Sequence, residues 1–391
     1  MPRGIHIRMR GRDTDEAHRA SSPLELLVDL TFVVAVSQVA AELAERIASG
    51  HAAESIGTYL MVFFAIWWAW MNFTWFASAY DTDDVPYRLL TVVQMVGVLV
   101  LAAGVPAAFE HADYLAVTVG YLIMRIGLVT QWIRAGIEDP AGRRTAFRYA
   151  AGISIVQAGW VLRLLLPPEW GVASFVVLAV LDLSVPIWAE RTGWTHWHPH
   201  HIAERYGLFV IILLGESVLA STNGVRLALQ ATGVSAQIVI VALSGLVVLV
   251  GVWWLYYLAP TGDGLALHRS RSFYWGYGHW PLFAAIAAIG ASLEVVVAAA
   301  GGHPEGADRL SLGLSVAIPV AAVLMLIWAL FAPLVGAAAA PWWVMAPAAG
   351  LIVAAPFAIP DLAGVVAVIA GLVALAVIGS VTATRRHSAV A

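Results

Sequence analysis

Twelve windows of about 20 apolar residues, joined by short polar segments, run the length of the chain. They fall near 22–44, 56–79, 88–108, 113–133, 147–166, 171–189, 203–222, 235–258, 275–300, 311–334, 341–359 and 361–382. About 20 apolar residues is the length at which an α-helix crosses the hydrocarbon core of a bilayer. A lipid-exposed backbone must satisfy its own hydrogen bonds, so windows of this length predict helices rather than strands. Only 12% of the 391 residues are charged and the mean hydropathy is +0.82, against about 25% charged in soluble domains. The expected fold is therefore an all-α integral membrane bundle of about twelve spans. Pro347, Pro356 and Pro360 interrupt the last two windows, which leaves open a re-entrant segment there.

Composition also removes whole classes of chemistry. Cysteine is absent, which excludes disulfides, thiolate metal ligands and a cysteine nucleophile. All 21 basic residues are arginine, so there is no Schiff-base or P-loop lysine. No Gly-x-Ser-x-Gly, phosphate cradle or basic nucleic-acid patch is present, and no cofactor or nucleic-acid partner is expected. Residues 1–21 are polar and Arg-rich and lead into a full-length apolar window, the pattern of a cytoplasmic tail rather than a cleaved signal peptide.

Arginine placement sets the expected orientation. With the N-terminus inside, the inner segments hold sixteen arginines and the outer loops four, namely Arg46, Arg163, Arg226 and Arg309, with Arg125 inside a span. Positive charge is retained on the cytoplasmic side, so both termini are expected there, in a plasma membrane.

The chain also carries an internal echo. Glu25-Leu-Leu-Val-Asp29 opens the first window, and Glu204-Arg205 with Glu216-Ser217 marks the seventh, about 180 residues later. Phe73-Thr-Trp75-Phe76 followed by Asp81 is matched at a similar offset by Trp253-Trp-Leu-Tyr256 and Asp263. These matches suggest two parallel six-helix repeats, 22–190 and 203–384, with a His/Trp-rich linker at 191–202 and a tail at 385–391. Chance likeness of apolar helices ending in aromatics is the alternative.

Ionisable residues inside spans are costly and mark paths or partners. Glu25 and Asp29, four apart, share a helix face with Phe32 and Val36. Two close carboxylates suit a cation or proton site; alternatively Glu25 caps the helix and Asp29 pairs with an arginine. Ser37 and Gln38 offer neutral ligands, although Gln38 lies on the face opposite Asp29. Glu216 lies near mid-membrane beside Gly215, which is expected to admit a neighbouring backbone. Arg125 is its candidate partner, with Asp182 competing for the same guanidinium. Three acids and one arginine cannot all pair, so one acid is expected to be protonated, hydrated or ion-bound. Arg205 and His201 are expected to organise the entrance of the seventh helix. Glu294, in a run of small residues, is placed either at an outer vestibule or at the surface. His198, His200, His201 and Glu204 invite a metal reading, but their spacing around Pro199 matches no closed site, and none is expected.

Two stretches carry a family resemblance. Pro23-Leu-Glu25-Leu-Leu-Val-Asp29-Leu-Thr-Phe32 and His201-Ile-Ala-Glu204-Arg205-Tyr-Gly207, continuing to Gly215-Glu216-Ser217, resemble the bacterial low-temperature-requirement protein A family over about residues 20–300. The first stretch departs at Leu27-Val28, where aromatics are usual. The resemblance implies a polytopic membrane protein of undefined activity. Leu27 to Ser37 is also similar to the first helix of the endolysosomal potassium and proton channel family, which has two six-helix repeats.

The expected function is a transporter or channel for a small ion or solute, with acids of the first and seventh helices on the path, membrane lipids as neighbours and a homo-oligomer left open. Rival expectations are a membrane enzyme acting on a lipid or isoprenoid, which leaves enzymatic activity undecided, and a stress-related protein without transport.

Overall fold

The computed structural model describes residues 5–13, 16, 20–302, 306–336 and 340–388. Arg3, Arg19 and the last three residues of the expected tails lie outside them. Among the described residues the regular secondary structure is entirely helical. In chain order the helices are α1 (Pro23–Ala48), α2 (Ala52–Tyr80), α3 (Val85–Ala103), α4 (Val105–His111), α5 (Leu115–Glu138), α6 (Arg143–Arg163), α7 (Gly171–Ala189), α8 (Pro199–Thr232), α9 (Ala236–Tyr257), α10 (Thr261–Leu267), α11 (Ser272–Ala300), α12 (Arg309–Val335), α13 (Trp342–Ala358) and α14 (Leu362–Ser388).

Eleven of the twelve apolar windows each fall on a single helix. Among the described residues, ten helical segments are long and apolar enough to cross a membrane. The windows 147–166 and 341–359 fall short of that measure: α6 begins with Arg143, Arg144 and Arg148 and ends at Arg163, and α13 has 17 residues with Pro347 and Pro356 inside it. The window at 88–108 is broken at Gly104, where a Cβ would lie 2.6 Å from Ala116 Cβ and 2.8 Å from the backbone nitrogen of Val117. Only glycine allows that approach, and Pro106 restarts the chain as α4.

The chain packs as two compact units, residues 1–38 with 61–202, and 39–60 with 203–391. α1, α2 and α8 are each divided between them. In the first unit α5 packs against α3 and α6, and α6 against α7; in the second, α12 packs against α11 and α13, and α14 against α9 and α13. Many large apolar side chains face outward, among them Leu30, Ile155, Val180 and Leu243, as expected where lipid rather than water is the solvent.

The first unit has an aromatic core of Phe76, Tyr80, Tyr87, Trp132 and Tyr149. Trp132 and Tyr149 stack with ring centroids 4.2 Å apart and planes 5° from parallel. Met9, from the segment expected to be a tail, is fully buried in this core. Residues 7–12 form a strap. The backbone N–H of Ile7 donates to Asp84 at 2.8 Å, that of Met9 to Glu138 at 2.5 Å and that of Arg12 to the Ala79 carbonyl at 3.1 Å. Arg134 clamps the same carboxylate, donating to both oxygens of Asp84 at 2.9 and 2.6 Å. Asp84 also caps α3 through the N–H of Tyr87. Burial alone would raise the Asp84 pKa, but the Arg134, Ile7 and Tyr87 hydrogen bonds prevail and hold it down at about 2.

Candidate functional site

Glu25 and Asp29 do share one buried face of α1, with Phe32 and Val36. Glu25 closes a reciprocal capping box: its N–H donates to Ser22 Oγ at 3.3 Å, and its carboxylate accepts from the Ser22 N–H at 2.8 Å. The other Glu25 oxygen lies 3.1 Å from Nε2 of the fully buried His201. His201 Nδ1 is 3.2 Å from the Ser78 hydroxyl on α2, which also accepts the N–H of His198 at 3.1 Å. His198 is itself the N-cap of α8. Its ring Nδ1 accepts the N–H of His201 at 3.3 Å, and its carbonyl accepts that of Ile202 at 3.0 Å. With Nδ1 accepting, Nε2–H donates to the Glu16 carbonyl at 2.9 Å. Pro199 at the first helical position completes the start.

Asp29, one turn deeper, accepts a hydrogen bond from the indole N–H of Trp70 at 2.8 Å. Further along the same unit Arg125 and Asp182 form a buried pair 3.6 Å apart, with 4% and 3% of their side chains exposed. The competition predicted for Arg125 is thus won by Asp182. Arg125 also donates to the Tyr121 hydroxyl at 2.6 Å, and the Trp160 indole donates to Asp182 at 2.7 Å. Trp68 approaches the same carboxylate. An indole is a neutral donor with no acceptor, so it supports a carboxylate's negative charge without adding a counter-charge. α2, with Trp67, Trp68, Trp70 and Trp75 along it, therefore sends Trp70 to Asp29 and Trp68 towards Asp182.

One recess borders this pair and a second borders the aromatics that hold it. Arg125 lines a narrow one, with Val28 and Phe32 from α1, Phe73 from α2 and Gln94 from α3. Tyr121 and Trp160, the aromatics that hold the pair, line another of about 470 Å³, its open mouth included.

In the second unit Arg205 is fully buried and Ser217 nearly so, while Glu216 and Glu294 are half-buried. Glu294 lies within electrostatic reach of Glu216 and Arg226. The close approach expected at Gly215 is not there, for a Cβ at Gly215 would meet nothing within 4 Å. The contact is made at Gly290 of α11, where a Cβ would stand 2.8 Å from the Ser217 Cα, and at Gly224, where it would stand 2.3 Å from the Glu294 carbonyl. Ser217 spends its hydroxyl on the Leu213 carbonyl, 2.8 Å away. His279 is fully buried among Tyr206, Trp275 and Phe283, its two nitrogens bonded to the Trp275 carbonyl at 2.7 Å and the Tyr256 hydroxyl at 3.1 Å.

Several expected residues stand apart. Gln38 is exposed and Ser37 half-buried, both off the Asp29 face of an unbroken helix, and Glu204 and His200 are exposed. Among the described residues no three histidine, aspartate or glutamate side chains converge as a metal-binding set. The role of His198 was not read from the sequence, although its place immediately before a helix-opening proline is the signal of an N-cap. Two of the indole donors, Trp68 and Trp70, fall in a tryptophan-rich stretch of α2, but nothing in the sequence marks the carboxylates they serve.

The family description "Bacterial low temperature requirement A protein (LtrA)" matches residues 20–383. An uncharacterised protein of Rhizobium meliloti (strain 1021) is 29% identical over 296 residues, covering 71% of this chain and 69% of that protein. No solved structure matches. With all but its two ends covered by that description, this multi-pass chain belongs to the bacterial low temperature requirement A family.

Proposed function

We propose that this protein moves a small ion or solute across the bacterial plasma membrane, with both termini cytoplasmic and all twelve helical windows crossing in two six-helix repeats. The observation that supports transport most is the Arg125–Asp182 pair, buried at mid-helix depth and bordered by one recess lined by Arg125, with a second lined by Tyr121 and Trp160, the aromatics that hold it. A charge pair at that depth is costly, and such residues commonly face a substrate path. Asp29, on the helix that walls the Arg125 recess, supplies a second carboxylate in the same unit. Glu216 and Glu294 have the corresponding role within the second unit. For α6, outward-facing Ile155 and Leu162 support a lipid-facing surface despite the flanking arginines.

The test is flux into liposomes holding the purified protein, followed with a pH dye and a potential dye while K⁺, Na⁺ and Cl⁻ are varied. The expected result is protein-dependent flux of at least one ion, abolished by Asp182→Asn in protein that elutes like the wild type. Flux of none of these ions through well-folded wild type would overturn the ion reading.

A further inference from the structure

The recess behind Trp160 differs in character from the ion pair that Trp160 helps to hold. Phe64, Val117 and Phe175 wall it, and Tyr114 and Arg163 stand with them at the C-terminal end of α6. Tyr121 lies seven residues beyond Tyr114 on α5, about 10 Å deeper at 1.5 Å per residue. Met61, at this end of α2, is 17 residues from Ser78, so the mouth is about 26 Å along α2 from the His201–Glu25 network.

Arg163 is the unusual member. Its guanidinium lies over three rings, 5.0 Å from Tyr114, 6.0 Å from Trp160 and 5.9 Å from Phe175. Its hydrogen bonds go to the Ser174 hydroxyl at 3.2 Å and the Gly171 carbonyl at 2.8 Å. Among the described residues no carboxylate lies within ion-pair distance of it. It is half-buried, held in place by aromatics, and has donors left over, since a guanidinium carries five. The same arginine borders a shallow apolar groove on the outer faces of α6 and α7, lined by Leu162, Leu166 and Val177. A molecule can therefore reach the mouth sideways from the membrane.

We infer that this recess binds a single-chain anionic amphiphile, its carboxylate or phosphate on Arg163 and its chain between Phe64, Val117 and Phe175. The apolar walls recognise the chain, and the guanidinium, with no carboxylate beside it among the described residues, selects the charged head. Because Tyr121 and Trp160 close the inner end and also hold Arg125 and Asp182, an occupied recess bears directly on the ion pair. The site stands independently of the transport proposal, since its test is binding rather than flux.

The experiment measures retention of palmitate, 1-palmitoyl lysophosphatidate and hexadecanol by native mass spectrometry of the full-length protein in a non-ionic detergent. Wild type is expected to bind one or both anionic probes roughly 10-fold or more tightly than hexadecanol, and the two anions separate carboxylate from phosphate preference. Arg163→Gln brings the anions down to the hexadecanol level and leaves hexadecanol unchanged, whereas Arg163→Lys restores much of the difference. Ala65→Phe, which narrows the recess without touching the charge, weakens all three probes. Equal retention of charged and neutral probes, anion binding indifferent to Arg163→Gln, or no retention by folded wild type would each overturn the assignment.

Discussion

Replacing Arg125 by methionine leaves Asp182 with its Trp160 hydrogen bond but without its counter-charge. The two groups stand 3.6 Å apart and almost wholly out of solvent. At an effective dielectric of about 20 their attraction is about 332/(20 × 3.6), or roughly 5 kcal/mol. The packing of the arginine stem survives in methionine, so the loss is chiefly electrostatic. Removing one partner of a buried pair commonly costs about 3–5 kcal/mol, and the Coulomb figure falls at the top of that range. The partner change Asp182→Leu, made together with Arg125→Met, removes both charges and is expected to recover most of the loss. The assay is equilibrium unfolding in mixed detergent–SDS micelles, followed by circular dichroism, for wild type, both single variants and the double. The predicted coupling is at least about 2 kcal/mol, because the sites share one interaction. A single Arg125→Met cost under about 1 kcal/mol, or additive singles, would show that the pair does not act as a pair and would refute the reasoning.

Other perturbations separate packing from charge. Gly290→Ala forces a methyl against the Ser217 backbone and should cost about 1–3 kcal/mol, while Gly215→Ala, with open space around it, should be neutral or slightly stabilising in the same unfolding assay. Trp70→Phe removes the indole donor to Asp29 and should destabilise by about 1–2 kcal/mol, less in an Asp29→Asn background where the acceptor's charge is gone. Asp84 has its carboxyl lowered from 3.8 to about 2 in the folded chain, worth about 2 kcal/mol at neutral pH. Its contribution is fully present above pH 3.8 and is lost as pH falls towards 2. The stability gap between wild type and Asp84→Asn should therefore narrow between pH 5 and pH 2.5, and a constant gap would count against the clamp. Asp84→Asn should also speed tryptic cleavage at Arg8 and Arg10 by loosening the strap.

Much of the helical layout was legible because a 20-residue apolar window in a bilayer has few alternatives to a helix. Two windows were harder, since arginines at both ends of α6 and prolines inside α13 weaken the very signal used to find them. The shared face of Glu25 and Asp29 followed from helical periodicity alone, as did the separation of Gln38 from Asp29. Pairwise choices were not legible: Arg125 could take Asp182 or Glu216 until α5 and α7 were placed in one unit. The glycine contact was assigned to Gly215 because it adjoins Glu216, yet close approach depends on which residue faces the neighbouring helix, and that is Gly290. The strap was missed because its bonds are made by backbone N–H groups of Ile7 and Met9, which any sequence could supply. What a tail-like composition concealed was the pair of acceptors, Asp84 and Glu138, more than 70 residues away.

The central claim is that the buried acids serve movement of a solute rather than only the cohesion of the helices. The decisive measurement pairs flux with stability on the same preparations of wild type and Asp29→Asn. Flux in liposomes and unfolding in mixed micelles are read side by side. The account predicts that Asp29→Asn lowers flux at least tenfold while stability changes by no more than about 1–2 kcal/mol, the scale of a hydrogen bond such as the one it accepts from Trp70. Undiminished flux in that variant, or a loss of flux that follows only the loss of folded protein, would contradict it.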